Sequence, residues 1–293
     1  MDQAAGLRAR IAKLRDRART DMRRDVRLLA ITSGKGGVGK TNIAVNLSLA
    51  LAEKQRRVLL VDMDFGFGNA DLVMGVSPQF DLGHVMMGTS TFSESLVLGP
   101  HGIHMMAASS LEGIMKLSEG QISSFIASME KEWGNYDYVI FDTGAGINEV
   151  VMGCLLAVPE IVLVSTPEPT ALADAYALLK SLHHHGIEKK VLRLIMNQVN
   201  DQAEAQRSIR SLQTMANKFL NTELQALIWI PRDPAVWKAV RSQKPILLLG
   251  TTTPACQALR QAAGLLEQSK SERGNMLLST GGFFRRWLSY LTH

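Results

Sequence analysis

Residues 27 to 54, RLLAITSGKGGVGKTNIAVNLSLALAEK, constrain the fold more than any other stretch. A short apolar run leads into GKGGVGKT, residues 34 to 41, and then into apolar positions at helical spacing, which reads as strand, glycine loop and helix. The loop satisfies GxxxxGK[ST] in the context that gives this pattern its meaning. Gly34, Gly36, Gly37 and Gly39 leave the backbone around Lys35 and Val38 free to turn N–H groups onto a phosphate, and the following helix directs its positive end to the same place. Lys40 is placed to pair with the β and γ phosphates, Thr41 to ligate Mg²⁺, and Asn42 to stand beside the nucleotide in the first helical turn.

The rest of the chain repeats the same grammar. RRVLLVDMD, HGIHMMAAS, YDYVIFDTGAG, EIVLVSTPEP, VLRLIMNQV and LQALIWIPRD are short apolar runs ending in acids or turn residues, and helical stretches such as TALADAYALLKSLHHH separate several of them. Strands that are apolar throughout and alternate with helices predict a doubly wound, mostly parallel α/β sheet with helices on both faces and ligands at the carboxyl ends of the strands. At 293 residues and 46% hydrophobic, the chain can bury a core of that size. Pro231 to Asp233 of IPRDPAV are expected in a loop, and Trp229 and Trp237, which flank it, are expected in the core, with packing against a bound base as the alternative.

Charge separates the ends from the body. The net charge is +5, and residues 1 to 27 alone carry nine Lys/Arg against four Asp, so the remainder is balanced. A basic end reads as an interaction arm, and a neutral body makes nucleic acid an unexpected partner. Leu7, Ile11, Leu14 and Ala18 give the arm one narrow apolar stripe. Cys154 and Cys256 are far apart and outside any CxxC spacing, which suggests neither a disulfide framework nor a metal cluster and fits a reducing cytoplasm. No run is long and apolar enough to span a bilayer. The last stretch, GGFFRRWLSYLTH, read as a helix, places Phe283, Phe284, Trp287, Leu288 and Leu291 on one face and arginines on the other. That composition predicts either a helix lying on a membrane surface or one docked into a groove of the body. His183 to His185, three in succession, point in different directions on a helix and read as a solvated helix end. Expected boundaries are a basic arm over 1–26, an ATPase domain over 27–268, a linker over 269–280 and an amphipathic helix over 281–293.

With its second lysine at position 35, GKGGVGKT resembles the deviant phosphate loop of the MinD/ParA ATPases. The resemblance covers about residues 27 to 265, and it implies an ATP-dependent homodimer in which Lys35 reaches the partner's phosphates. It further implies that Asp64, in VLLVDMDFGFGNADLV, orients the attacking water, and that Asp62 and Asp142 support Mg²⁺. Asn197 would read the adenine base, and Pro231, Arg232 and Asp233 would close over it. Two stretches are similar to the flagellar branch of that family, FlhG/FleN: DQAAGLR, residues 2 to 8, resembles its N-terminal DQAxxLR motif, and EPTALADAYALLK its EPTSITDAYALIK-like helix. For Asp2, Gln3, Leu7 and Arg8 the resemblance implies activation of the GTPase FlhF. It also implies contacts with the C-ring proteins FliM and FliN, a flagellar transcription regulator and membrane lipid, with a peripheral, polar location. A division-site ATPase of MinD type and a nucleotide-binding adaptor with little turnover are the alternatives. The switch departs from the family's usual DADLGLANVDV, and Gly144 stands where alanine is common.

Overall fold

The computed structural model describes residues 26–108, 118–187, 190–250, 252–269 and 280–291. Asp2, Gln3, Leu7 and Arg8 of the arm lie outside them. The centre is an eight-stranded sheet in the order β3-β4-β2-β5-β1-β6-β7-β8. Its strands are β1 Arg27–Ser33, β2 Val58–Met63, β3 Leu96–Leu98, β4 His104–Met106, β5 Tyr138–Ala145, β6 Glu160–Ser165, β7 Val191–Val199 and β8 Gln225–Pro231. All neighbours pair in parallel except β3, which runs antiparallel to β4 at one edge. This three-residue edge strand is not expected from the sequence, because LVL is too short to declare a period.

Ten α-helices are seen among the described residues: α1 Lys40–Glu53, α2 Ala70–Met74, α3 Leu82–Met87, α4 Glu119–Trp133, α5 Glu149–Ala157, α6 Pro169–His184, α7 Gln202–Leu220, α8 Pro234–Arg241, α9 Pro254–Gln268 and α10 Thr280–Leu291. The sheet's pleat sorts its side chains between two cores. Leu28 and Ala30 of β1 join the cluster under α4 to α7 and α10, whereas Leu29 and Ile31 join the one under α1 and α9. The two cysteines are buried on opposite sides of this division, Cys154 in the first cluster and Cys256 in the second.

In IPRDPAV, Arg232 and Asp233 form the expected loop and a helix follows at once. Asp233 accepts a hydrogen bond from the Ala235 N–H as the N-cap of α8, and Pro234 takes the first helical position, where its missing N–H costs nothing. Trp237, expected in the core, is 62% exposed on that helix, while Trp229 is half-buried. At the opposite end of the sheet Glu160, 4% exposed, joins the starts of β1 and β6 to β7 by accepting from Arg27 at 2.7 Å and from Arg193. The basic arm therefore leaves from the end of the sheet remote from the glycine loop.

The C-terminal helix α10 is docked. Phe283, Trp287 and Leu288 are buried against α4 and α5, and Gly153 of α5 makes room, since a Cβ there would lie 3.2 Å from the Trp287 ring. Phe283 stacks on Phe141 of β5 at 4.3 Å, and Trp287 stacks on Phe65 at 5.7 Å. Arg285, Arg286 and Tyr290 face outward. The side chains of Phe284 and Leu291 lie outside those described. No described helix is long and apolar enough to cross a membrane.

Candidate functional site

The glycine loop connects β1 to α1 at the carboxyl end of the central strand, with a crossover to either side. Gly37 and Gly39 have φ of 79° and 96°, a left-handed backbone that a side chain resists. Gly39 is also the N-cap of α1 and offers no side-chain acceptor, so the first N–H groups of that helix stay available to an anion. Gly34 is required by packing instead: a Cβ would sit 2.1 Å from the carbonyl oxygen of Asp174 in α6. Thr41 and Asn42 are half-buried in the first turn of α1.

Charges converge beside the loop. Lys40 is 8% exposed; burial lowers its pKa, opposed by the carboxylates of Asp142 and Asp64. Asp62 and Asp142 stand side by side on β2 and β5, 2% and 1% exposed. The Asp62 oxygens accept from the N–H groups of Asp64 at 2.9 Å and Ala70 at 3.1 Å, whereas neither oxygen of Asp142 accepts a well-formed hydrogen bond. Burial raises the pKa of both, and mutual repulsion adds to it at Asp142. Two buried carboxyl groups, with the Thr41 hydroxyl beside Asp142, fit a divalent cation bound through oxygen. Asp64 lies over Gly144, whose Cβ, if it had one, would be 2.8 Å from Asp64 Oδ1. Gly68 serves Asp62 in the same way, at 2.7 Å.

Lys35 does not point into its own site. Its ammonium donates to Glu168 and to the Thr170 hydroxyl, each at 2.9 Å, at the start of α6. Glu168 and Thr170 lie in EPTALADAYALLK, but no role for either is evident from sequence, because their distance from Lys35 along the chain hides the meeting of two strand ends. On the other side of the loop a cavity of about 350 Å³ is lined by Gly37, Gly39 and Asn42 together with Asn197 and Pro231 to Asp233. Asn197 Nδ2 donates to the Val38 carbonyl at 2.8 Å; a carbonyl only accepts, which fixes the amide orientation and leaves Oδ1 as an acceptor beside the second N–H. Asp233 accepts from the N–H groups of Ala235 and Ala255 and so joins α8 to α9. The triple histidine is, as expected, a helix end, with His184 and His185 exposed.

This geometry can be set beside known proteins. Residues 26–266 match the family model ParA, described as NUBPL iron-transfer P-loop NTPase. The antiactivator FleN of Pseudomonas aeruginosa is 38% identical over 223 residues, 75% of this chain and 79% of that protein. The chain is a P-loop ATPase of the MinD/ParA family. The flagellum site-determining protein YlxH of Helicobacter pylori is 33% identical over 92% of each chain. Among solved structures, the septum site-determining protein MinD of Pyrococcus horikoshii, complexed with Mg-ADP, superposes with a TM-score of 0.68 at 25% identity, covering 86% of this chain and all of that one. In this chain Lys40, Thr41, Asp62, Asp64 and Asp142 stand together beside the glycine loop. Of the α10 residues expected at a membrane surface, Phe283, Trp287 and Leu288 are buried against the body.

Proposed function

We propose that this chain is an Mg·ATP-driven dimerisation switch of the FlhG/FleN type that controls the number and placement of flagella. The observation that carries the reading is the joint likeness to FleN and YlxH over a body whose glycine loop has buried acids on one side and a cavity on the other. In the cycle, N–H groups of the loop and Lys40 hold the phosphates, while Thr41, Asp62 and Asp142 hold Mg²⁺, which supplies charge neutralisation there. Asp64 orients the attacking water from its place above Gly144. Lys35 leaves Glu168 and Thr170 to reach the partner's phosphates, so that ATP joins two copies.

The docked helix supports a second half to the cycle. Burying Phe283, Trp287 and Leu288 is worth about 2 kcal/mol for each side chain, on the order of 6 kcal/mol in gross terms. Release into water is thus opposed, whereas release onto a lipid surface exchanges one apolar host for another. Phe65 adjoins Asp64 and touches Trp287, so closure of the switch on ATP disturbs the contact that keeps the helix home. Two helices then act together through avidity, at the inner face of the membrane and at the pole. The arm presents DQAAGLR to FlhF, and the same cycle governs contacts with FliM, FliN and a flagellar transcription regulator.

The test is the GTPase rate of FlhF with a peptide of residues 1 to 20, wild type and Gln3→Ala. Stimulation that disappears with Gln3→Ala supports the flagellar reading. No stimulation by the peptide or by the full ATP-bound chain removes it and leaves a MinD-type division ATPase.

A further inference from the structure

Helix α8 carries an unusual load for so short an element. Trp237 is 62% and Val240 47% exposed, and with Val236 they give one side of the helix to the 350 Å³ cavity beside the glycine loop. An exposed tryptophan is an expense for a free chain unless something covers it. Arg241, one turn further on, already lies over the indole with its guanidinium carbon 4.6 Å from the ring centroid. One face of Trp237 is therefore occupied by a cation, and the indole is held against the lip of the cavity.

We infer that Trp237 is the aromatic wall of the base subsite, stacking on the purine of a nucleotide whose phosphates lie in the glycine loop. The inference rests on the nucleotide reading above and deepens it. Continuity of the cavity commits the occupant: Gly37 and Gly39 belong both to the loop and to its lining, so a ligand anchored there by phosphate extends toward α8. The cavity's chemistry suits a flat heterocycle. Its floor is Ile43 and Leu259, both 2% exposed, its outer wall is Trp237 and Val240, and its polar edge is the Asn197 amide. One Nδ2–H of Asn197 is used on Val38, and its Oδ1 remains an acceptor that can meet the amino group of adenine. Asp233 fixes the wall, because its carboxylate caps α8 and also accepts from the N–H of Ala255 in α9. The fold thus positions an aromatic ring, an apolar floor and one acceptor around a base, with the helix that carries the ring latched at its start.

The test compares a ligand that has a base with one that lacks it. Binding of Mg·ATP and of inorganic tripolyphosphate is measured for the full chain, for Trp237→Ala and for Trp237→Phe. The expected result is a loss of about tenfold in ATP affinity for Trp237→Ala, the scale of removing one aromatic–base stack, with tripolyphosphate affinity unchanged. Trp237→Phe keeps ATP affinity near wild type. Tryptophan emission supplies an independent readout: the part of the ATP-induced change that Trp237→Phe removes, and that tripolyphosphate does not produce, reports the base arriving at residue 237, separately from any change at Trp287 when α10 moves. Wild-type ATP affinity in Trp237→Ala overturns the inference. So does an equal loss for both ligands, which would mark a structural effect on the loop, or a loss of dimerisation with affinity intact, which would mark a subunit contact. Failure of the wild-type chain to bind ATP overturns the nucleotide reading itself, and the inference with it.

Discussion

The glycine loop and helix α10 are both announced by short side-chain patterns, but the structure treats them differently. The loop's backbone does what its pattern says for local reasons, since Gly37 and Gly39 need their left-handed conformation within eight residues, while Lys40 draws its counter-charges from Asp142 and Asp64 beside it. Helix α10 has an apolar face that needs a host, and the pattern is silent on which. Here the host is the chain itself: Phe283, Trp287 and Leu288 are buried under α4 and α5. A catalytic motif carries its function locally, whereas an amphipathic helix carries only a demand for burial.

The comparison predicts a double dissociation. Trp287→Ala should destabilise the chain by about 3–5 kcal/mol, because it empties a fully buried site against Phe65 and Gly153. Urea unfolding measures it. ATP affinity of the folded fraction should stay near wild type, and a large loss of affinity would show the two regions to be one. The converse variant is Lys40→Ala. Removing a fixed charge from the phosphate site should lower turnover by roughly 10²–10³-fold, measured as phosphate release under saturating Mg·ATP. The urea midpoint should not fall, because Lys40 is itself held in an unfavourable burial. A fall comparable to that of Trp287→Ala would break the distinction between the regions.

That distinction also explains what could be read from the residues alone. Parallel strands, glycine loop and acids were legible because each strand is apolar throughout and ends in its functional group, as in YVIFDTGAG with Asp142 at the tip of the run. Four things were not. Strand β3 is too short for a period, and α8 hides behind two prolines that signal a loop until Asp233 is seen to cap it. The partner of Lys35, Glu168, lies 133 residues away, and only the adjacency of β1 and β6 brings it close. Likewise the sequence leaves Trp237 between a core place and a base-side one, since position on a short helix depends on the register of its cap. Local chemistry is written in spacing; meetings between distant strand ends are written in topology.

A smaller effect sharpens the helix side of the comparison. Lys190 donates to the carbonyls of Leu156 and Val158, at and just beyond the end of α5, and burial together with the charge of Arg286 on α10 pushes its pKa down to about 8. A lysine whose folded pKa lies below its unfolded value binds fewer protons when folded, so stability rises with pH between about 8 and 10.5. Raising pH from 7.5 to 9.5 should therefore tighten the docking of α10 by about 1 kcal/mol, after allowance for solvent screening. Hydrogen exchange of the α10 amides measures it, corrected for the intrinsic rate at each pH. Lys190→Met should flatten the dependence. An unchanged slope would place its cause elsewhere.

The smallest effect belongs to the loop, where one residue does depend on something distant. The Lys35 ion pair is exposed on both sides, 36% for the lysine and 58% for Glu168, so water competes for each charge and the pair holds the lysine only loosely. Its consequence lies in direction more than in strength. While Lys35 faces Glu168 and Thr170, it is turned from any phosphate in a second copy of the chain. Glu168→Gln keeps shape and hydrogen bonding but removes the charge that competes with that phosphate. ATP-dependent dimerisation should strengthen by about twofold, the scale of a weak surface pair, read as a shift in the monomer–dimer midpoint by sedimentation. Affinity of the monomer for ADP should not move, since the lysine makes no contact within its own site. If dimerisation instead weakens, Glu168 contributes to the joined state, and the start of α6 belongs to the interface as well as to the resting position of the lysine.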